Sequence, residues 1–427
     1  MLLARLSVNE KLDVMIANLL RWVARAFPLN GPVLVLAGLA VLFFARPVVA
    51  DSDSAFSLQG FGTFGLARTT SNDAEFVRDL SQPRGVKKDW SALIDSVLGL
   101  QAAWRINPQL EAVVQANSRY RYDKTFTPDL AWAYIKYDPM PNLSLRAGRL
   151  GTEFFMMADS RWVGYSFLTV RPPGDFFWYL PFYSIHGGDA AITVPLGETV
   201  LRAKVLYGHS DGQIPLANEQ WNIAGSPMVG GYLEYQYGSW LARASYANIL
   251  FKHDLPYAQV LKQQFNILLT QAQSDFLVAR NTRSHYYSFG VVFDQGPWQA
   301  QLMLNHIDQG SNAFQSSDGG YALVGYRIGE ATPYLGYSWV KSREKARLIT
   351  GNLSVDAVTD YVMEDSHSDQ KTTFVGVRWD VVRNVAVKAQ WDGIHGDQKT
   401  YFPYRQEIRS RWDGSMDVFS MTLDFVF

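Results

Sequence analysis

The chain of 427 residues carries 39 Lys and Arg against 40 Asp and Glu, and it contains no cysteine. The near-neutral charge argues against nucleic acid as a main partner, and the lack of cysteine excludes disulfides and cysteine metal sites. Aromatic residues make up 14% of the chain although its mean hydropathy is only −0.10. This combination is typical of a membrane β-barrel, in which alternate residues face lipid and water.

The N-terminal region predicts an export signal. An apolar run at 32–45 has the length of a signal hydrophobic region and is short for a membrane-spanning helix. Val48 and Ala50 provide the small side chains expected before a cleavage site. We therefore expect a signal peptide, 1–50, cleaved after Ala50, and a mature barrel domain, 51–427. A retained membrane anchor is the alternative.

After the signal, apolar and polar residues alternate with a period of two, which predicts β-strands. The alternation is clearest at the C-terminus, where every second residue from Phe419 to Phe427 is apolar. The pattern predicts sixteen strands, at 56–68, 93–106, 110–121, 130–138, 143–154, 187–195, 199–209, 229–237, 240–250, 286–295, 298–308, 320–328, 332–342, 371–381, 385–394 and 416–427.

The connections between these strands fall into two classes that alternate strictly. Tight turns are predicted at 107–109, 139–142, 196–198, 238–239, 296–297, 329–331 and 382–384, and the other eight connections are longer. Outer-membrane barrels have short periplasmic turns, long extracellular loops and an even number of strands. The predicted fold class is therefore all-β: a sixteen-stranded antiparallel transmembrane β-barrel with an inward-folded third long loop.

The two faces of the predicted strands differ. Outward aromatic residues form one belt near the tight turns (Trp104, Tyr137, Tyr235, Tyr237, Trp240, Trp298 and Trp379) and a second near the long loops (Tyr120, Tyr207, Tyr287, Trp339 and Trp391), as expected at two membrane interfaces. The inward faces carry polar residues, such as Gln115, Asn117 and Arg119 on the third strand. Charges are costly in a dry core, so we expect a water-filled lumen.

Two long connections carry particular predictions. The third, 155–186, is rich in aromatic residues and holds charged ones, so we expect it to fold into the lumen; packing over a neighbouring subunit is the alternative. The connection at 252–284 contains an apolar pattern that suits a helix, either as a lid or as a simple cap on the loop.

Short motifs around the third long loop carry a family resemblance. They are Leu145-Arg-Ala-Gly-Arg-Leu150, Phe154-Phe155, Asp159 and Val170-Arg-Pro-Pro173. Together with the strand count and the terminal Phe427, they resemble the sixteen-stranded Gram-negative outer-membrane porins, in particular a proteobacterial porin-like family of undefined substrate. The resemblance covers the mature chain as architecture.

The resemblance implies a constriction in which acids on the third loop face bases on the wall. The loop acids would be Asp159 and Asp175, and the wall bases would be Arg119, Arg121, Arg146, Arg202, Lys204 and Arg243. Arg161 and Arg171 also lie on the loop, so its field is mixed. Because bases outnumber acids on the upper wall, we expect a modest preference for anions.

The outward surface of strands one to five is unusually rich in small residues, whereas the later strands carry bulky ones. The small residues expected at an oligomer interface are Gly60, Gly62, Ala112, Ala116, Ala131 and Ala133. Small side chains let two membrane surfaces approach closely, so they locate the interface of the homotrimer that the resemblance implies. An easing of strand curvature is the alternative reason for them.

The expected function is an outer-membrane porin that admits small hydrophilic solutes and ions by passive diffusion. Alternatives are a channel selective for anionic or aromatic compounds, or an outer-membrane barrel enzyme. The seven histidines are not at metal-ligand spacing and no catalytic motif is present, so we expect no enzyme activity, metal or cofactor. Expected partners are membrane lipid, lipopolysaccharide and, through Phe427, the barrel assembly machinery.

Overall fold

The computed structural model describes residues 55–178, 183–216, 219–256, 270, 275–276, 278–344, 347, 349–364, 366–400, 404–406 and 412–427. The predicted signal peptide, 1–50, lies outside the described residues. So do residues 257–269, which form most of the apolar pattern expected to be a helix in the connection at 252–284.

Sixteen strands form one closed barrel. They are β1 Phe56–Thr69, β2 Val97–Asn107, β3 Leu110–Arg119, β4 Asp129–Met140, β5 Leu143–Gly151, β6 Ser184–Leu196, β7 Thr199–His209, β8 Pro227–Tyr237, β9 Trp240–Leu250, β10 Arg283–Gln295, β11 Trp298–Gln309, β12 Ser317–Tyr326, β13 Ala331–Ser342, β14 Asp369–Val382, β15 Val385–Gly396 and β16 Ser415–Val426. The predicted number of strands is confirmed.

Every strand pairs with its neighbours in the chain, and the barrel closes where β1 pairs with β16. Thr63 lies opposite Asp424 across this seam, and Thr69 lies opposite Val418. All of these pairings are antiparallel. Strand ends differ from the prediction by a few residues. For example, β10 begins at Arg283 because Ser284 still pairs with Gln309 of β11.

Tight turns join strands at one end of the barrel, which we call the short-turn end, and longer connections lie at the other, the long-loop end. In two of the tight turns Gly238 and Gly296 have φ of 54° and 57°, a conformation that hairpin turns require and glycine adopts at little cost. Asn384 occupies the same region at φ 66°. Local turn chemistry therefore fixes the register of these hairpins.

A few short elements lie outside the barrel wall. They are the paired strands Gln213–Leu216 and Glu219–Asn222, the paired strands Ala74–Glu75 and Arg405–Gln406, a 3-10 turn at Gly164–Ser166, helix α1 Gly174–Phe177 and helix α2 Leu353–Glu364. Among the helices that the structure describes, none is long and apolar enough to cross a membrane.

The outer surface of the barrel is apolar, with aromatic residues towards the strand ends. Those near the short turns are exposed, including Trp104, Tyr235 and Trp298 at 56%, 47% and 51%. Tyr120, expected in the belt near the long loops, is instead buried against Phe126, with the ring centroids 5.9 Å apart. The reason is that β3 ends at Arg119, two residues earlier than predicted, so Tyr120 belongs to a connection.

The inner surface has two unlike halves, and the expectation of a polar inner face all round was wrong. Strands β10 to β14 turn large side chains inward that are almost completely buried: Tyr286, Met303, Tyr321, Tyr334 and Phe374. Strands β3 to β9 carry charged and amide residues inward, and β15 and β16 carry further buried charges: Lys388, Asp392 and Asp424. The hydrophobic core of this protein therefore lies inside one half of the barrel.

Candidate functional site

The described part of the segment that joins β5 to β6, 152–178, lies inside the barrel against β10 to β16. The buried ammonium of Lys388 on β15 donates to the carbonyl oxygens of Gly164 and Thr169, at 2.7 and 3.0 Å. Arg378 on β14 donates to the carbonyl of Tyr165 at 2.7 Å. Wall side chains thus satisfy backbone groups of the segment that would otherwise be buried without a partner.

Aromatic packing holds the same segment. Phe155 and Phe176 lie 4.9 Å apart between ring centroids, and Phe176 meets the edge of Tyr321 on β12 at 5.5 Å. Phe154 contacts Tyr286 on β10 at 5.6 Å. Full burial of such a ring contributes roughly 1.5–3 kcal/mol, so this cluster is a main source of loop stability.

The Arg171 side chain is buried between the loop and the barrel wall, and it does not face the basic residues of β3 to β9. Its guanidinium makes two hydrogen bonds to Asp95, at 2.9 and 2.7 Å, and a third to Asp392 at 3.1 Å. A guanidinium opposite two carboxylates is a strong, directional ion pair. The prediction that Arg171 lines the pore was wrong, since carboxylates from β15 and from the connection before β2 enclose it.

Asp175 lies on helix α1 and is also buried on the filled side. The hydroxyl of Ser338 donates to it at 2.6 Å, and Gln370 donates to its other oxygen. Burial raises the pKa of Asp175 to about 6. Asp175 therefore does not oppose the wall bases, contrary to the constriction that the sequence predicted, because α1 packs on β11 to β14 and not on β3 to β9.

Two predicted bases, Arg146 on β5 and Lys204 on β7, share a pair of acids that sequence reasoning missed. Arg146 contacts Asp189 at 2.6 Å and Glu153 at 2.9 Å. Lys204 contacts the same two carboxylates, at 3.1 and 2.5 Å. The strand pattern in the sequence could have identified Asp189, because it lies directly opposite Arg146 in the register of β5 and β6. The four charges largely compensate each other.

Other predicted wall bases also have partners. Arg243 pairs with Glu234 on the adjacent strand at 2.5 Å and lies 4.0 Å above the Tyr232 ring. Arg121 pairs with Asp123 at 3.0 Å and with Asp129 at 3.1 Å. The sequence identified these bases but did not pair them with the acids that offset them, so it overestimated the positive field of the wall.

Arg202 and Asp159 remain on the open side. Among the described residues, Arg202 forms no ion pair, and its guanidinium lies 6.0 Å from the Tyr232 ring. Asp159 is exposed on the loop. Desolvation by the surrounding protein and the Glu153 carboxylate raise its pKa, while Arg243 and Lys204 act in the opposite direction. Asp159 thus lies near the wall bases Arg243 and Lys204, and its role opposite them in a constriction stays a prediction.

Arg119 and Arg161 surround an aromatic pair near the long-loop end. The Arg119 guanidinium lies 4.4 Å from the centroid of Trp162 and 4.6 Å from that of Tyr183, and Arg161 lies 3.9 Å from Tyr183. Burial lowers the pKa of Arg161 to about 10, which leaves it charged at neutral pH. These four residues border a cavity of about 350 Å³.

Two further cavities lie towards the short-turn end. One of about 430 Å³ is bordered by Lys136, Asp138 and Arg202. Another, of about 550 Å³, is bordered by Arg327 and Asp294, among others. Open space therefore exists on both sides of the loop that crosses the lumen. Among the described residues, no group of three or more His, Asp or Glu side chains could hold a metal ion.

The small residues predicted for an oligomer interface lie on β1, β3 and β4. The ring of Phe425 on β16 covers Gly62, and any side chain at Gly62 would collide with it. Ala131 falls at a β-bulge, where Leu130 and Trp132 take the cross-strand partners in β3. Ala133 keeps a regular position, paired with Val114, and Ala116 flanks the bulge, paired with Leu130.

No protein-family model and no curated sequence matches the chain. Solved structures do match. OmpF of Salmonella typhi, in complex with daunomycin, superposes with a TM-score of 0.52 at 13% identity, over 87% of this chain and 97% of that one. The chain has the fold of the sixteen-stranded outer-membrane porins. This agrees with the resemblance drawn from the sequence motifs.

Two further structures share this porin fold. OmpT of Vibrio cholerae, described as its trimer form, gives a TM-score of 0.51 at 12% identity, over 88% of this chain and all of that one. An anion-selective porin from Comamonas acidovorans gives 0.50 at 10% identity, over 87% and 99%. At these identities the likeness extends to the fold.

Proposed function

We propose that this protein is a Gram-negative outer-membrane porin, exported by a signal peptide, through which small hydrophilic solutes and ions diffuse passively. One observation carries the proposal: a closed sixteen-stranded barrel is filled on one side by its own loop and is polar on the other. About sixteen strands enclose enough space for an aqueous channel. Lipopolysaccharide contact and recognition of Phe427 by assembly machinery stay predictions.

A modest preference for anions is part of this proposal. On the open side most bases are offset by acids, but Arg202 and Arg119 form no ion pair with any described residue. Uncompensated positive charge in a narrow, partly desolvated passage concentrates anions. Because the excess is small, the preference is expected to be modest and to fall at high salt, where screening shortens the reach of the field.

Reconstitution in planar bilayers tests both parts. We expect ohmic, multi-ion conductance and a reversal potential of the anion-selective sign in a KCl gradient at low salt. Arg202→Ala should shift the permeability ratio towards cations without unfolding the barrel, because this side chain has no ion-pair partner in the part of the chain that the structure describes. Arg327→Ala, which removes an exposed base paired with Asp294, is the matched control. Absence of conductance would refute the channel, and cation selectivity in the wild type would refute the anion preference.

A channel selective for anionic or aromatic compounds is the second candidate. The arrangement of Arg119 and Arg161 around Trp162 and Tyr183 favours this candidate. Cations stacked on aromatic rings can bind anionic or aromatic solutes, whereas passive diffusion through a water-filled pore does not require such groups. A general pore and a selective one share the same fold. A selective pore binds its solute during passage and a general pore does not, so measurement of solute binding distinguishes them.

We also propose a homotrimer whose interface includes Ala112, Ala116 and Ala133 on β3 and β4. These side chains are half-buried in the isolated chain. Because they are small, the outer surface of the barrel protrudes little at this place. Close approach of two membrane-facing surfaces depends on such small residues. Gly62 contributes less than the sequence suggested, because the ring of Phe425 covers it.

A further inference from the structure

The cavity of about 350 Å³ near the long-loop end has the features of a binding site. Its volume lies in the range of small-molecule sites, and its walls combine apolar rings with a few polar groups. The rings are Phe61, Tyr122, Trp132, Trp162 and Tyr183. Gln115 and Asn117 add amide groups on the inward face of β3. The two cavities near the short turns lack this collection of rings.

Charge on the cavity wall is uneven. Of its arginines, Arg121 is held by Asp129 at 3.1 Å, and Arg149 is held by Asp211. Arg119 is nine-tenths buried and has one hydrogen bond, to the hydroxyl of Ser81 at 2.8 Å, but no ion pair with a described carboxylate. The buried carboxylate of Asp79 offsets part of this positive charge, and a buried cation is costly unless its charge is fully offset.

Arg161 brings a second guanidinium to the aromatic ring of Tyr183. Its guanidinium stacks on Tyr183 from the loop, while Arg119 reaches the same ring from β3, and the two cations repel each other. Asp79 accepts a hydrogen bond from the Tyr183 hydroxyl at 2.7 Å and supplies one negative charge nearby. A single added anion between the two guanidinium groups would relieve their repulsion.

We infer that this cavity binds a flat aromatic monocarboxylate, with the carboxylate on Arg119 and Arg161 and the ring against the aromatic walls. The inference rests on the proposed channel and names a class of solute for it. A planar guanidinium matches a carboxylate through two parallel hydrogen bonds, and aromatic walls favour a flat apolar body. A second carboxylate is disfavoured because the remaining arginines are already paired and Asp159 is exposed at the border of the cavity.

Benzoate is the probe, measured as block of the KCl current at constant ionic strength and, independently, by calorimetry on the detergent-solubilised protein. We expect saturable block and binding by benzoate, with at least tenfold weaker effects for acetate, which lacks the ring, and for neutral benzamide. Arg119→Gln and Arg161→Gln should each weaken benzoate binding at least tenfold. Arg327→Gln, at the other end of the lumen, should leave it unchanged. Heat-modifiable migration on gels establishes that each variant is folded.

The outcomes separate the two proposals. Benzoate binding unchanged in the folded Arg119→Gln and Arg161→Gln variants, or absent from the wild type, overturns the site while leaving the channel intact. Equal block by inorganic phosphate or sulfate shows a simple anion site and overturns the aromatic class. Binding by calorimetry without any conductance refutes the channel and supports the site.

Discussion

At the scale of single residues, long-range ion pairs decide what each charged side chain does. The sequence placed Arg171 in the lumen because it lies on the loop expected to fold inward, but nothing local connects it with Asp95, which lies 76 positions earlier in a long connection. Their side chains are 3% and 0% exposed, so the pair is almost free of solvent screening. Parity along a strand predicts the direction of a side chain, whereas its partner depends on which loop packs against it.

The first prediction concerns this pair. Asp95→Ala removes the main counter-charge of Arg171, and loss of one partner of a buried ion pair costs about 3 kcal/mol or more, at the low end here because Asp392 remains. We expect the docked loop to become accessible to protease and the channel current to become noisier. Urea unfolding of the detergent-solubilised protein measures the loss of stability.

Asp294→Ala is the matched control for that substitution. Asp294 pairs with Arg327 at 2.7 Å, but the two side chains are 50% and 36% exposed. An exposed pair of this kind contributes at most about 1 kcal/mol. If both substitutions have the same small effect, Arg171 does not anchor the loop.

At the scale of elements, the loop and β10 to β16 behave as one packed unit inside the barrel. Aromatic residues of the loop, such as Phe176, pack on inward rings such as Tyr321, and Lys388 satisfies two carbonyls of the loop backbone. The sequence predicted that the loop folds inward because its composition is too aromatic for a solvated surface. It did not show which half of the wall receives the loop.

The second prediction concerns the loop. Deleting residues 162–170 removes the carbonyl groups that Lys388 binds, as well as the ring of Trp162, and should widen the passage. We expect a clear rise in single-channel conductance in planar bilayers. Deleting 123–127, an exposed part of the connection between β3 and β4, should leave conductance unchanged. Equal conductance in both deletion variants and the wild type would show that the loop does not narrow the channel.

At the scale of the whole molecule, the barrel has one side that packs inward and another that stays open. The filled half joins β10 to β16 to the loop, and its outward surface is bulky, with Leu302 and Val324 about 40% exposed. The open half carries paired charges such as Arg146 and Lys204, and the half-buried Ala116 and Ala133 make its outward surface less bulky. One half of the barrel packs against the loop and the other half borders open space. The residue composition therefore differs between the two halves, although the sheet itself is regular.

The third prediction concerns assembly. Ala116→Trp and Ala133→Trp should weaken or abolish the trimer, because each places a large ring where two surfaces are expected to meet. Leu302→Trp and Val324→Trp, on the surface expected to face lipid, are the controls and should leave the trimer intact. Native mass measurement in detergent gives the oligomeric state. A monomeric wild type, or a trimer indifferent to all four substitutions, would refute the interface.

The sequence by itself determined the number of strands, the alternation of turns and loops, and the direction of most wall side chains. These features are local, since a period of two and a turn residue act within a few positions. Only the tertiary structure decided that Arg171 and Asp175 are buried on the filled side, and that Glu153 and Asp189 neutralise Arg146 and Lys204. Ion pairs and loop docking join residues far apart in the chain, and their partners follow from closure of the barrel and not from any local pattern.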